Sequence, residues 1–310
     1  MKIIMMGLNN AGKTSIAKNV FENKTFKELK NLSPTQFIET RQYNYRQMIN
    51  VNIFDCGGQT QFLQAYKTDE FRAKVFKKVD VMIWVVDSSD KQKIKKSITE
   101  FTKCYIPLQE NSPDAKVYFF IHKNDTKKVE PKDLRKMVKD FVTPKIKIHY
   151  YTTSIKNNSA KIKMKRLLDD LMEESVGERL ISLQNLLQKL NKRIKGSVSI
   201  LFNSEFGIEI TSFFEKYLDM EKAEFLEYIS LKFIEPPFLD PLLREFKKQG
   251  FLNKERADFS VYRIGEDSIC IVNLHKDVSL FTISTLDSLA RIEKGIERYK
   301  PEILSILKLV

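Results

Sequence analysis

Short apolar runs alternate with helical patterns over the first 175 residues of the chain. The apolar runs predict strands at residues 3–6, 43–47, 51–54, 79–87, 116–122 and 146–152. Helical periodicity separates them, most clearly at residues 131–142 and 160–173. Apolar strands that alternate with helices are typical of a mainly parallel sheet covered on both faces. The pattern therefore predicts a doubly wound α/β domain, with ligand loops at the carboxyl ends of its strands.

The pattern changes beyond residue 175. A leucine stripe predicts a helix at residues 178–193, and a long helical region at 220–250 is interrupted by Pro236 and Pro237. Five short strands are predicted at 198–202, 207–213, 259–264, 269–274 and 278–283, before a last helix at 285–308. We therefore predict two domains, residues 1–175 and 176–310. The second is expected to be an α/β domain with a five-stranded antiparallel sheet and flanking helices.

Charge is divided unequally between these two regions. The 310 residues carry a formal net charge of +13, with 33 Lys/Arg against 20 Asp/Glu before residue 176 and 20 against 20 after it. The excess in the first region suits a polyanionic ligand, an acidic partner or an anionic membrane surface. The balanced second region argues against nucleic acid as a partner. A DNA-binding winged helix, built around residues 242–251, remains an alternative.

Cysteine usage and hydropathy bear on where the protein acts. Three scattered cysteines form neither a zinc pattern nor a disulfide framework, and no stretch approaches 18 apolar residues. We recognise no signal peptide, myristoylation site or prenylation box. The expected location is cytoplasmic, with no direct membrane insertion and any recruitment to a membrane made through a partner.

The first predicted strand runs directly into a phosphate-binding motif. Residues 7–14 read Gly-Leu-Asn-Asn-Ala-Gly-Lys-Thr, a complete G-x-x-x-x-G-K-[ST] loop followed by a helical pattern. Amides at the N-terminus of that helix would face the phosphates. Lys13 would reach the β- and γ-phosphate oxygens, and the Thr14 hydroxyl would ligate Mg²⁺. The nucleotide contacts predicted from this loop are Asn9, Asn10, Ala11, Gly12, Lys13, Thr14 and Ser15.

A second motif, D-x-G-G-Q, occupies residues 55–59 after the strand at 51–54. The Asp55 carboxylate can hold Mg²⁺, and the Gly58 amide can meet a γ-phosphate. Gln59 is then placed to orient the attacking water. Thr35 lies between the two motifs, and its hydroxyl would complete the metal shell when the γ-phosphate is present. The predicted metal ligands are Thr14, Thr35 and Asp55, and the predicted catalytic residues are Gln59 and Lys13.

A third group of residues predicts recognition of guanine. The strand at 116–122 ends in His122-Lys123-Asn124-Asp125. The Asp125 carboxylate can accept hydrogen bonds from N1 and the exocyclic amine of guanine, a donor pair that adenine lacks. Lys123 can lie along the base, and Ser154 or Ile155 can offer a backbone amide to O6. His122 is predicted either to hydrogen-bond to the base or the loop, or to pack. A P-loop ATPase is disfavoured by these elements.

The order of these motifs is that of small GTPases, and the chain resembles the Rag/Gtr GTPases in particular. The resemblance rests on the H-K-x-D form at residues 122–125, on D-x-G-G-Q and on the run at 111–117. That family has a C-terminal roadblock-type domain with the element order predicted for residues 176–310. The resemblance implies GTP/GDP and Mg²⁺ binding, slow hydrolysis and a signalling role. It also implies homo- or heterodimerisation through residues 176–310, with activating proteins, exchange proteins and a roadblock-type scaffold as partners.

The phosphate-binding loop departs from the Rag/Gtr pattern. Its Asn9-Asn10-Ala11 run, like D-x-G-G-Q, is more similar to Arf-like GTPases. An Arf-like GTPase with an appended interaction domain is therefore one alternative, and a nucleotide-binding scaffold without turnover is another. No arginine stands shortly before Thr35. The expected intrinsic hydrolysis rate is accordingly low, about 10⁻⁴ to 10⁻² s⁻¹.

Overall fold

A computed structural model describes residues 1–22, 24–66, 68–141, 147–204, 208–215, 245–251, 258–285 and 289–309. The chain divides into two compact units. The first comprises Met1–Asn44 and Ile49–Leu171, and the second comprises Tyr45–Met48 and Met172–Val310. The helical region predicted at 220–250 lies for the most part outside the described residues.

The first unit is built on a six-stranded sheet in the order β2-β3-β1-β4-β5-β6. β1 pairs in parallel with β3 and β4, β4 with β5, and β5 with β6, so the mainly parallel sheet is confirmed. The strands are β1 (Lys2–Met6), β2 (Ile38–Tyr45), β3 (Ile49–Cys56), β4 (Val81–Asp87), β5 (Lys116–His122) and β6 (Ile148–Thr152). Because β1 lies between β3 and β4, the loop after β1 opens at the point where strand order reverses.

Helices flank this sheet. They are α1 (Lys13–Phe21), α2 (Thr60–Ala65), α3 (Asp69–Phe76), α4 (Lys91–Asn111), α5 (Pro131–Phe141) and the first part of α6 (Ser159–Ile194). The apolar faces of α4 and α5 pack against β4 and β5, where Trp84 meets Phe101 edge to face. The helices predicted at 160–173 and 178–193 correspond to the two parts of α6, which meet at a kink where the backbone of Val176 leaves helical geometry.

The strand predicted at residues 43–47 differs from β2 at both ends. β2 ends at Tyr45, because Arg46 and Gln47 adopt left-handed backbone angles with φ of 51° and 53°. Two successive residues of this kind suit a tight reversal between antiparallel strands. β2 also begins earlier, at Ile38, where polar residues that largely face solvent hide the strand from a hydrophobicity pattern.

The second unit contains the predicted five-stranded antiparallel sheet, in the order β8-β7-β11-β10-β9. Its strands are β7 (Gly196–Asn203), β8 (Ile208–Phe214), β9 (Phe259–Ile264), β10 (Asp267–His275) and β11 (Val278–Thr285). The second part of α6 and helix α7 (Leu289–Leu307) form one hydrophobic core with this sheet. Within this unit, Arg46 donates from Nη1 to the Ile210 carbonyl at 2.8 Å.

Candidate functional site

The loop between β1 and α1 needs glycine at both ends. Gly7 and Gly12 have φ of 141° and 101°. A Cβ on Gly7 would lie 2.2 Å from the Val85 carbonyl oxygen, and one on Gly12 would lie 2.5 Å from Cδ2 of His122. The loop is thus held against β4 and β5 more closely than any side chain would allow. Ala11 is buried in it, and Ser15 is half-buried in the first turn of α1.

Lys13 is buried beneath this loop, with 6% of its surface exposed. Its Nζ donates to the carbonyls of Gly7 and Leu8, each at 3.0 Å. Burial lowers the pKa of Lys13, while the nearby charge of Asp55 partly offsets that effect. A buried ammonium with only neutral acceptors in direct contact is poorly compensated. The position therefore favours an anionic ligand.

The three predicted metal ligands lie together at the ends of three different elements. The Thr14 hydroxyl donates to Oδ2 of Asp55 at 2.5 Å and lies 2.7 Å from the Thr35 hydroxyl. Thr35 also donates to Oδ2 of Asp55, at 3.2 Å. The second carboxylate oxygen, Oδ1, is buried and has no hydrogen-bond partner among the residues that the structure describes. Burial raises the pKa of Asp55, although the Thr14 hydrogen bond and the Lys13 charge oppose this.

This arrangement fits Mg²⁺. The ion prefers oxygen ligands and is commonly held by one carboxylate together with substrate phosphates. Asp55 Oδ1 offers an unsatisfied oxygen, and two hydroxyls lie beside the same carboxylate. In the part of the chain that the structure describes, no group of three or more His, Cys, Asp or Glu could hold a metal. Hydroxyl and phosphate oxygens would therefore supply the remaining ligands.

The segment that carries Thr35 is closed over the site. Thr35 is only 8% exposed, and the carbonyl of Phe37 accepts hydrogen bonds from the Gly57 amide at 2.6 Å and from the Tyr66 hydroxyl. The Phe37 ring contacts those of Phe62, Tyr66 and Phe71. The two segments that flank the predicted γ-phosphate position are thus joined through Phe37, which sequence reasoning missed.

Gly58 lies directly against the phosphate-binding loop. Its carbonyl accepts a hydrogen bond from the Asn9 amide at 2.9 Å. A Cβ on Gly58 would lie 2.4 Å from the Gly7 oxygen and 2.5 Å from the Asn9 nitrogen, so an added methyl group would force the backbone apart. Gln59 follows at the start of α2, where its Oε1 accepts from Nε2 of Gln61 at 3.2 Å. The catalytic role of Gln59 stays a prediction.

The predicted base-binding residues converge after β5 and β6. Lys123 donates from Nζ to the Asn10 carbonyl at 2.8 Å. Asp125 accepts from the Ser154 hydroxyl at 2.5 Å and pairs with Lys156 at 3.1 Å. Burial alone would raise the pKa of Asp125, but these hydrogen bonds outweigh it and the pKa is lowered. The Ser154 amide donates to Ser159, which leaves the Ile155 amide as the candidate donor to guanine O6.

His122 packs between the loop and the base site. Its ring lies against Gly12, and Nδ1 is 3.0 Å from the Thr153 hydroxyl. Burial, together with the charge of Lys123, lowers the pKa of His122 to about 4. The ring is therefore neutral near pH 7. Within the described residues, His122 packs against the loop and contacts the Thr153 hydroxyl, and a hydrogen bond to the base stays a prediction.

Two further residues of this region were missed from the sequence. Asp87 ends β4 and pairs with Lys123 at 2.6 Å, so it orients a predicted base contact. Phe26 is 40% exposed, and its ring lies 5.3 Å from Nζ of Lys156, the ion-pair partner of Asp125. The sequence offered two signals for them: Asp87 is an acidic residue at the end of a predicted strand, and Phe26 is an aromatic residue in the polar segment before Thr35.

Comparison with known proteins adds a family match. The model of the Gtr1/RagA G protein conserved region matches residues 2–231. Ras-related GTP-binding protein A of Dictyostelium discoideum is 33% identical over 134 residues, which are 43% of each chain. GTP-binding protein gtr1 of Schizosaccharomyces pombe is 32% identical over 133 residues, 43% of this chain and 42% of the relative. The chain thus spans a little over two fifths of the curated relatives that it matches.

Among solved structures, the Arl6 BBS3 small GTPase from Trypanosoma brucei with bound nucleotide analogue GppNp is similar at a TM-score of 0.46. The sequences are 17% identical, and the match covers 56% of this chain and 98% of that one. Separately, none of the helices that the structure describes is both long enough and apolar enough to span a bilayer.

Proposed function

Because this chain belongs to the Gtr1/RagA family of G proteins, we propose that it is a guanine-nucleotide-dependent switch. It binds GTP and GDP with Mg²⁺, hydrolyses GTP slowly and signals through partners that distinguish the two nucleotide states. The observation that carries this proposal is the convergence of Thr14, Thr35 and the unsatisfied Asp55 carboxylate beneath the phosphate-binding loop.

The loop binds the phosphates of the substrate. Lys13 exchanges its two carbonyl acceptors for phosphate oxygens, so that the buried ammonium is paired with a negatively charged group. Thr14, Thr35 and Asp55 hold Mg²⁺, which when bound neutralises charge on the phosphate oxygens. Thr35 can reach that position only while its segment is closed. The terminal phosphate of GTP is therefore the group that selects the closed state.

Base selection falls to Asp125, with support from its neighbours. Its carboxylate accepts hydrogen bonds from two guanine donors, while Ser154 and Lys156 keep the group ionised. The Ile155 amide donates to O6, and Lys123, fixed by Asp87 and the Asn10 carbonyl, lies along the ring. Adenine presents neither the donor pair nor the carbonyl, and we expect it to be rejected.

Hydrolysis depends on Gln59, which orients the attacking water. The Gln59 side chain is hydrogen-bonded to Gln61 and must turn towards the γ-phosphate position to act. The approach to Thr35 carries no arginine, so charge on the transferred phosphate is incompletely stabilised. Intrinsic turnover is therefore slow, and an activating protein that supplies the missing group accelerates it about 10³- to 10⁵-fold.

Partners use the second domain, residues 176–310. Its five-stranded sheet has two edge strands, β8 and β9, and an edge strand is a ready surface for pairing with another chain. Dimerisation with itself or with a related chain is the proposed use of this region, and a roadblock-type scaffold is a further partner. Such a partner, rather than a membrane-inserted segment, recruits the otherwise cytoplasmic protein to a membrane surface.

Single-turnover hydrolysis of bound GTP tests this proposal. We expect slow release of phosphate from the wild type. The rate should be about 10²-fold lower for Gln59→Leu, because this is the effect typical of losing one side chain that positions a reacting proton. Gln61→Leu is the matched control, since it removes the neighbouring glutamine and should hydrolyse GTP at the wild-type rate. Equal rates for the wild type and Gln59→Leu would remove Gln59 from the mechanism. No turnover in any variant would favour a nucleotide-binding scaffold.

A further inference from the structure

Strand β6 presents an open backbone edge on the first unit. It ends the six-stranded sheet on the side opposite β2, and within the described residues it pairs with β5 alone. The amide of Thr153, directly after β6, donates to Ile121 of β5. Because backbone groups alternate along a strand, the amides and carbonyls of Ile148, Tyr150 and Thr152 point away from β5. Such a row of donors and acceptors can template another strand.

Basic residues are concentrated around this edge. Between residues 131 and 170 the chain carries eleven Lys or Arg against four Asp or Glu, a net +7 out of the +13 of the whole chain. Most of the basic residues that the structure describes here belong to α5 and to the start of α6, with Lys147 just before β6 and Lys156 after it. Most of the net positive charge of the first region therefore comes from this segment, and most of these basic residues have no role in the proposed nucleotide site.

The cations flank β6 on both faces. Arg135 of α5 lies 5.7 Å from the ring centre of Tyr150, and Lys163 of α6 lies 5.7 Å from that of Tyr151. Adjacent residues of a strand point to opposite faces, so the two cations stand on either side of the sheet. Arg135 is exposed and Lys163 is half-buried.

Three more cations, with one opposing acid, complete the surroundings. Burial and the charges of Lys147 and Lys116 lower the pKa of His149, against the opposing charge of Asp170. Burial and the charge of Asp170 raise the pKa of Tyr151, and the charge of Arg166 opposes this. Lys147 and Arg166 are both exposed. The edge therefore combines backbone groups that have no strand partner among the described residues with a positive field.

We propose that the β6 edge, with Arg135, Lys147, Lys163 and Arg166, is a docking surface for an extended acidic segment of a partner protein. The segment adds as a strand beside β6, and its alternating carboxylates meet cations on both faces of the sheet. Lysine and arginine beside an open edge disfavour pairing with neutral, apolar strands, which narrows the choice to acidic ones. A bilayer surface would match the charge but would leave the backbone groups of β6 unpaired.

This surface lies away from the segments that are expected to respond to nucleotide. Thr35 precedes β2, at the far edge of the same sheet. Docking at β6 is therefore expected to be equal with GDP and with a GTP analogue bound. A partner held in this way would stay attached through the nucleotide cycle.

Fluorescence anisotropy of a labelled seven-residue peptide of alternating Glu and Thr tests the proposal on the full chain at low salt. Binding should fall about tenfold or more in Arg135→Glu/Lys163→Glu, as for two reversed contacts. The matched control is Lys189→Glu/Lys192→Glu, which reverses two exposed lysines of α6 in the second unit and should leave binding unchanged. Equal losses in both variants would overturn the proposal, because net charge alone would then explain binding.

A second measurement on the unaltered protein separates strand addition from simple attraction. A peptide of the same sequence with alternate backbone nitrogens methylated keeps its charge but loses amide donors, and should bind about tenfold more weakly. Equal binding of the two peptides would contradict strand addition. So would binding only to vesicles that contain phosphatidylserine, or peptide binding in one nucleotide state alone. Nucleotide affinity, measured in parallel, should not change, so failure here is distinct from failure of the proposed switch.

Discussion

Both units bury neutral polar side chains, and the first also buries a lysine and an aspartate, Lys13 and Asp55. Among the described residues, Lys13 donates only to backbone carbonyls, and Asp55 Oδ1 has no hydrogen-bond partner. In the second, the neutral Asn191, Ser199 and Thr282 bond to one another and to the backbone. Asn191 donates to the Gly196 carbonyl, Ser199 donates to Asn191 at 2.8 Å, and Thr282 donates to the Val198 carbonyl at 2.8 Å.

This difference separates a binding site from a structural network. A buried charge without a hydrogen-bonded counter-charge costs several kcal/mol, and a ligand that supplies the opposite charge relieves that cost. Neutral groups that satisfy each other gain nothing from a ligand and hold the local packing instead. The second unit does bury one charged side chain, Arg46, whose Nη1 donates to a backbone carbonyl. We therefore expect substitutions of the charged and glycine residues at the nucleotide site to act mainly on nucleotide binding, and substitutions in the neutral network of the second unit to act on stability.

The largest effect is expected at the base site. Asp125→Asn presents a donor where the carboxylate accepted two hydrogen bonds from guanine, and GTP affinity should fall on the order of 10³-fold. Xanthine nucleotides should bind this variant more tightly, because xanthine has a carbonyl that accepts a hydrogen bond at the position where guanine has its exocyclic amine. Competition between GTP and XTP measures both effects. Undiminished binding of GTP would refute the base assignment.

A pH titration sharpens the comparison next. The folded pKa of His122, about 4, lies below the ordinary value of about 6.5, so the unfolded chain binds more protons between these two values. The contribution of His122 to the free energy of unfolding should therefore be complete above pH 6.5. The free energy of unfolding should fall by on the order of 3 kcal/mol as the pH drops towards 4. His122→Asn should flatten that fall in urea unfolding curves. An unchanged slope would place the pH dependence elsewhere.

A single methyl group at Gly58 should weaken binding of a GTP analogue. Gly58→Ala pushes a Cβ into the backbone of residues 7–9, and the strain of about 1–3 kcal/mol typical of overpacking corresponds to a loss of affinity of roughly 5- to 150-fold. Gly177→Ala is the matched control in the second unit, since nothing lies within 4 Å of the added atom. That variant should bind normally. Equal affinities in both would mean that the closed contact with the loop does not form.

The smallest effect on binding is expected in the second unit. Asn191→Ala leaves the Ser199 hydroxyl and the Gly196 carbonyl without their partner, and should lower the free energy of unfolding by about 1–3 kcal/mol. Nucleotide affinity should be unchanged within error. Urea unfolding and nucleotide titration on the same preparation check both statements. A loss of affinity without a loss of stability would contradict the division of roles.

Local patterns predicted most of the fold, and non-local contacts account for the misses. β5 and β9 have the predicted bounds because each is a compact apolar run between turn signals. The beginning of β2 is polar and was missed, whereas the change of pattern predicted after residue 175 coincides with the kink of α6 at Val176. The placement of Tyr45–Met48 in the second unit has no signal in a linear pattern, because it depends on contacts such as that between Arg46 and Ile210, which are 164 residues apart.

The candidate site follows the same rule. The P-loop, D-x-G-G-Q and H-K-x-D motifs are each short, continuous segments directly after a predicted strand. Their positions in the sequence therefore predicted which strand end would carry each of them. Asp87 was missed because its partner, Lys123, lies 36 residues away on another strand end. The aromatic contacts of Phe37 join two segments whose association is not encoded locally.

The most direct test of the central claim is a calorimetric titration with GDP and with a non-hydrolysable GTP analogue, in the presence and absence of Mg²⁺. We predict that both bind, that the analogue binds more tightly with Mg²⁺, and that Thr35→Ala weakens the analogue alone. Ser33→Ala, an exposed neighbour, should behave as the wild type. Absence of heat with either nucleotide, or binding of the analogue that ignores both Mg²⁺ and Thr35, would contradict the account.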